Sequence, residues 1–302
     1  MEMQTPDLVL IAASPYRDNV SSAQSLVSGF ASGIISRTVM CPFDVVKLIL
    51  QTSQKSMDVK QIVSNIWKRD GISGFWRGNL AASINIGPQA ALKFFVLDRL
   101  QRIFGYNGKL SGFQRALIGS TAGIISQTTV FPLDVIMTRI TVHPNEYTSF
   151  FQATKKIITD EGAFGLWKGI APTIVGAVIY EGSQFLVSDT IRQYFFAKNR
   201  NFEQLKPWEY LFIGAVSGAV SQTVSYPFDV VRKRMMISCS AEQIVHRSMG
   251  NCFKSIYQYE GLKGFFRGIS INMIKIVPYT ALQYTLNEEI RNLFKNFNSR
   301  KH

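Results

Sequence analysis

The sequence predicts an all-α membrane protein of three tandem repeats, each with two long helices and a short amphipathic one. Three observations predict it. The stretch Cys41-Pro42-Phe43-Asp44-Val45-Val46-Lys47 returns twice, around Pro132-Leu133-Asp134 and Pro227-Phe228-Asp229, with the prolines 90 and 95 residues apart. A second marker keeps step with it. Asp70-Gly71 leads to Phe75-Trp76-Arg77-Gly78, Glu161-Gly162 to Leu166-Trp167-Lys168-Gly169, and Glu260-Gly261 to Phe265-Phe266-Arg267-Gly268. The third observation is an apolar, Gly/Ser/Thr-rich run ahead of each proline. One Pro-x-Asp match would mean little; six registered matches are not chance.

Within each repeat the elements follow in a fixed order. Residues Ser21 to Ser36, Ala116 to Leu133 and Leu211 to Phe228 are uncharged, the last two for 18 residues each, bordering on the length that spans a bilayer. They contain Gly29-x-x-x-Gly33, Gly119-x-x-x-Gly123 and Gly214-x-x-x-Gly218, each pair starting 13 residues before its proline. Small residues four apart share a helix face and let backbones approach. Each proline falls inside a helical pattern, where its missing N–H predicts a kink. The Asp two residues later and the base three beyond share one face of the continuing helix, which predicts a charge network between repeats.

A polar loop and a short amphipathic helix come next. Val59-x-x-Ile62-Val63-x-x-Ile66-Trp67 has the spacing of a helix lying at an interface, with Phe150 to Thr159 and Met249 to Tyr259 as counterparts. The aromatic-base-Gly triplets then offer a helix start whose amides suit a phosphate, a lipid headgroup included. A second long helix follows in each repeat, over about Leu80 to Arg102, Pro172 to Lys198 and Ser270 to Lys295. Its inner charges are few: Lys93, Glu181 and Lys275. An ionisable group at membrane depth is costly and is a functional candidate by default. Near the far ends stand Asp98-Arg99-Leu100-Gln101, Asp189-Thr190-Ile191-Arg192 and Glu288-Glu289-Ile290-Arg291, a second acid-x-x-base set. The repeats are placed at 21–108, 109–204 and 205–297, between tails at 1–20 and 298–302.

Composition narrows the function. Hydrophobic residues make up 46% and charged ones 18%, yet mean hydropathy is near zero, so spanning helices must carry polar groups inward. The net charge of +13 invites a nucleic-acid partner, but the bases are scattered and no recognition motif is present. Anionic lipids or anionic substrates fit that charge. Cys41, Cys239 and Cys252 lack metal-ligand spacing, and His143, His246 and His302 are isolated. With no Ser/His/Asp set, P-loop or GxGxxG, no enzyme, metal or cofactor is expected. Glu2, Asp7 and Asp18 interrupt the first twenty residues, which resemble neither a secretory signal nor a transit peptide. Any targeting information is expected within the mature chain.

These residues carry a resemblance to the mitochondrial carrier family over about Ser21 to Phe294. The resemblance implies six transmembrane helices in threefold pseudosymmetry around a water-filled cavity, in a multi-pass protein of an organelle inner membrane for which a monomer suffices. The Pro-x-Asp motifs would form the matrix gate and the acid-x-x-base motifs the cytoplasmic gate. Asp229 would then meet Lys47, and Asp134 would meet Arg232. Asp44 would face Met137, where the family has a base, so that one bridge is missing; Gln51 stands at the bracing position. Across the membrane Asp98 would pair with Arg192 and Asp189 with Arg291, while Glu288 would face the uncharged Gln101. One ion pair fewer at each gate implies a lower barrier between states. The lipid-binding positions implied are Arg77-Gly78, Lys168-Gly169 and Arg267-Gly268, with cardiolipin as the expected lipid.

Within the family the chain looks most like an ADP/ATP carrier. Arg232-Lys233-Arg234-Met235-Met236-Ile237 resembles that branch's signature, differing at Lys233 and Ile237. Arg37 takes the place of a phosphate-binding base, Lys275 replaces an arginine at the third substrate contact, and Gly176-Ala177 leaves room for a purine. Tyr180 and Ser225 also match, although they serve equally as a packed aromatic and a helix-packing hydroxyl. Asn85 replaces the arginine of the first contact, with Lys93 two turns on to restore a charge. Glu181 departs from the pattern and reads either as half of a structural ion pair, with Lys93 or Lys275, or as a selectivity residue. The expected activity is exchange of ADP for ATP. The alternatives are another phosphorylated cofactor (coenzyme A, thiamine diphosphate, or Mg-ATP against phosphate) and a carrier-fold scaffold that transports nothing. Asn85 and Glu181 make the cavity less positive, which predicts a weak response of exchange to membrane potential.

Overall fold

A computed structural model describes residues 22–53, 57–104, 112–198, 207–237 and 248–299 of the chain. Cys239, His246, His302 and the predicted N-terminal tail lie outside these residues. The described residues are almost all helical, in one pattern used three times. The first repeat has α1 (Ser22–Thr52), α2 (Val59–Asp70) and α3 (Asn79–Phe104). The second has α4 (Gly112–Val142), α5 (Phe150–Glu161) and α6 (Ile170–Lys198). The third has α7 (Pro207–Ile237), α8 (Met249–Glu260) and α9 (Ile269–Ser299). The second long helices start one or two residues before the predicted spans; α3 and α9 also run on past the predicted ends, whereas α6 ends at the predicted Lys198.

The short helices start and stop where their sequences require. Asp58 caps α2 in a reciprocal arrangement with Gln61, and Ser149 and Ser248 cap α5 and α8. The glycine after each acid then ends the helix, and a short 3₁₀ helix leads to a second glycine. Gly169, with φ of +93°, belongs to this second set. A side chain there would be strained, and its Cβ would lie 2.9 Å from the Arg232 carbonyl of the next repeat. A glycine is needed both for the turn and for the approach.

Pro42, Pro132 and Pro227 lie inside α1, α4 and α7, which run on past them. Each proline leaves the carbonyl four residues back without its helical donor. Trp76 Nε1 donates to the Thr38 carbonyl at 2.9 Å, and Trp167 Nε1 to the Thr128 carbonyl at 3.0 Å. The tryptophans of the triplets thus serve the prolines. In the third repeat the corresponding residue is Phe266, which has no such donor.

The long helices close a ring: α1 packs on α3, α3 on α4, α4 on α6, α6 on α7, α7 on α9, and α9 on α1. The buried apolar clusters sit at the end carrying the short helices, around Val45 and Ile66, Val135 and Ile157, and Val230 and Ile256. Elsewhere the outward faces expose large apolar side chains such as Phe30, Val39, Phe95 and Val277. Among the described residues one segment, Ala163–Phe195, is long and apolar enough to cross a membrane by composition alone. Polar and ionisable groups aimed at the ring's centre lower the hydropathy of the others.

Candidate functional site

The ring encloses a cavity of about 1010 Å³. Ion pairs and amides form its floor at the Pro-x-Asp end. Asp134 is the hub: Arg232 lies 2.7 Å from its Oδ2, Gln127 donates to the same oxygen at 2.8 Å, and Asn85 donates to Oδ1 at 2.7 Å. The predicted Asp134–Arg232 pair therefore joins α4 to α7. Asp229 sits in the fields of Lys47 and Arg232 and accepts from Gln222 at 3.1 Å, while Lys47 donates to Asn272 at 2.7 Å. Gln127 and Gln222 each stand seven residues before the acid they serve, bridging the proline between. Arg37 holds the same position in the first repeat.

The third position differs from the expected empty bridge. Asp44 pairs with Lys275 of α9 at 2.5 Å. Arg37 reaches the Met137 sulfur at 3.9 Å. Lys275, expected among the substrate contacts, is held by Asp44 and does not line the cavity. Its ammonium also lies 5.1 Å from the Tyr279 ring centre. Gln51 gives its amide to the Tyr226 hydroxyl at 3.1 Å, which in turn donates to the Arg267 carbonyl. It braces α1 against α7 and the third triplet.

Of the expected substrate positions, Arg37, Asn85, Lys93, Ala177 and Glu181 line the cavity. Gly176, Tyr180 and Ser225 do not. Gly176 packs against Phe228 of α7, and Tyr180 and Ser225 are buried, 6% and 1% exposed. The helical rotation of about 100° per residue turns Gly176 away from the face shared by Ala177 and Glu181. Lys93 and Glu181 are each other's charge partners across the cavity without closing an ion pair. Of the two pairings expected for Glu181, the one with Lys275 is not made, because Asp44 takes that ammonium. The walls divide by chemistry: Arg37 and Lys93 come from the first repeat, whereas the second repeat supplies the apolar Ile174, Ala177, Val178 and Phe185.

At the opposite end the expected pairs are not made. Asp98 pairs with Arg102, one turn along its own helix, and Asp189 accepts from Gln193. Glu288 and Gln101 make no bond to each other, and Gln101 faces the cavity. Asp98 and Asp189 thus each bond four residues along their own helices, as exposed i,i+4 pairs do at little energetic gain. Among the described residues, the ion pairs of Asp134 and Asp44 close the cavity at the Pro-x-Asp end.

The triplet bases are engaged rather than presented to a phosphate. Arg77 pairs with Asp70 at 2.5 Å, Lys168 with Glu161 at 2.9 Å and Arg267 with Glu260 at 3.0 Å. A second arginine joins two of these acids. Arg139 pairs with Glu161 and Arg234 with Glu260, both guanidinium groups almost wholly buried. Each also crosses to the next repeat, Arg139 Nε donating to the Met236 carbonyl at 2.8 Å and Arg234 Nε to the Gln51 carbonyl at 3.0 Å. Sequence reasoning passed over this tie. Its signal was the base five residues beyond Asp134 and Asp229, where the first repeat has Ile49. The junction of repeats one and two thus lacks both a base at 137 and an arginine at 49.

The family model described as mitochondrial carrier protein matches three times, over residues 18–108, 108–199 and 203–298. Among curated relatives, the adenine nucleotide transporter BT1, chloroplastic/mitochondrial, of Arabidopsis thaliana is 29% identical over 276 residues, covering 90% of this chain and 70% of that protein. The mitochondrial adenyl nucleotide antiporter SLC25A24 of Mus musculus is 32% identical over 276 residues, covering 89% and 57%. The calcium-binding mitochondrial carrier protein SCaMC-2-A of Danio rerio is 32% identical over 273 residues, covering 88% and 58%. The chain spans little more than half the length of the last two.

Proposed function

This chain belongs to the mitochondrial carrier family, and from that membership we propose that it exchanges adenine nucleotides, ADP for ATP, across an organelle inner membrane. The six long helices cross the bilayer, and the cavity is exposed to one side at a time. The observation that carries the substrate is the division of the cavity walls. Arg37 and Lys93 converge from α1 and α3 where a polyphosphate needs cations, and the small and apolar wall of α6 leaves room for the base. The charge-paired floor supports a closed matrix gate, and the local bonds of Asp98 and Asp189 at the other end support an open cytoplasmic one. Asp98, Gln101, Asp189, Arg192, Glu288 and Arg291 would close in the opposite state. Helix starts after Gly78, Gly169 and Gly268 supply amides for lipid phosphate, with cardiolipin as the lipid. The relatives named for adenine nucleotides support the substrate class.

Glu181 favours one second reading. A carboxylate beside a polyphosphate is repulsive unless a cation comes with the substrate, which points to Mg-ATP against phosphate. Liposomes containing the purified protein, preloaded with a panel of unlabelled compounds and given labelled ATP, test both. Uptake driven only by internal ADP or ATP is expected. Uptake driven by phosphate and dependent on magnesium would move the substrate to the second reading, and drive by coenzyme A or thiamine diphosphate would refute both. Silence with every compound would leave a carrier-fold scaffold.

A further inference from the structure

The three acids of the gate do not find their cations by one rule. Asp134 takes Arg232 and Asp229 faces Lys47, each acid meeting the base of the repeat after its own. By that rule Asp44 would take position 137, whose thioether carries no charge. Asp44 instead holds Lys275, with both side chains about nine-tenths buried, 10% and 11% exposed. Lys275 belongs to none of the Pro-x-Asp motifs and comes from the second long helix of the third repeat. An enclosed pair resists the loss of either partner, because the survivor becomes a buried charge with nothing opposite it. A lysine is nonetheless a point charge on a flexible stem, able to leave one anion for another.

We propose that Lys275 is the third cation of the gate, holding Asp44 where Met137 offers no charge, and that an anionic substrate opens this latch by drawing the ammonium away. The second half rests on the nucleotide-exchange reading; the first does not. Asp44 lines the cavity, as does Arg37 one helical stretch above it. A multiply charged phosphate held at Arg37 competes with a single carboxylate for the ammonium. The substrate then binds the unlatched conformation more tightly than the latched one, which is what shifts the equilibrium toward opening. A gate held this way opens with cargo aboard and stays shut without it.

Thermal unfolding in detergent without substrate tests the first half. Lys275→Ala and Asp44→Asn should each lower the transition, and the double variant should lie no lower than the worse single. Met137→Arg should restore the stability of Lys275→Ala. Additive losses, or no restoration, would overturn the gate role. Exchange of labelled ATP in ADP-loaded liposomes tests the second half. Met137→Arg alone gives Asp44 a new partner and releases Lys275, so KM for ATP should fall roughly threefold or more while kcat also falls. A KM that holds or rises would overturn the unlatching. Wild-type protein that exchanges no adenine nucleotide would overturn the substrate reading and the unlatching together, while the unfolding series would still decide the gate pair.

Discussion

Pro42 and Pro132 each remove an N–H from a helix that continues past them, and the carbonyls they strand at Thr38 and Thr128 receive the indoles of Trp76 and Trp167. Trp167→Phe should therefore cost about 1 kcal/mol, because it strands an acceptor in an apolar setting. Phe266→Trp should regain a similar amount in the third repeat. Thermal unfolding of both variants in detergent checks the pair, and unchanged transitions would refute the role. The aromatic-base-Gly triplet was legible in the sequence, but its purpose was not. Donor and acceptor stand 38 and 39 residues apart, and only the folded repeat brings them together. The same limit explains Lys275, whose partner Asp44 lies 231 residues away.

Among elements, the turn between each short helix and the next long one carries two glycines with different burdens. Gly162 and Gly169 both have positive φ, at 77° and 93°. A Cβ on Gly162 would meet nothing within 4 Å, whereas one on Gly169 would press on the Arg232 backbone. Gly162→Ala should cost about 1 kcal/mol from backbone strain alone, and Gly169→Ala clearly more. Equal losses in thermal unfolding would show that the approach of repeats two and three tolerates a methyl group. Helix order and the amphipathic short helices could be read from period and punctuation, because local sequence sets those. Which face of α6 meets the cavity could not, since one residue of rotation separates Gly176 from Ala177.

For the whole molecule, the three junctions between repeats are unequal. Arg139 and Arg234 each cross to the following repeat, but Ile49 and Met137 leave the junction of repeats one and two without those ties. This junction should be the loosest. Spin labels at the equivalent exposed positions 60, 151 and 250, on α2, α5 and α8, test it in a cysteine-free background. The distance distribution between positions 60 and 151 should be broader than those for 151 with 250 and 250 with 60; three equal widths would refute the idea. The repeat pattern made the threefold plan legible, and the departures at Ile49 and Met137 marked where it breaks. The pair between Asp44 and Lys275 has one more consequence. Adenosine, which has the base and ribose but no phosphate, can fill the cavity yet has nothing with which to bid for the ammonium. It should act as a plug rather than a passenger.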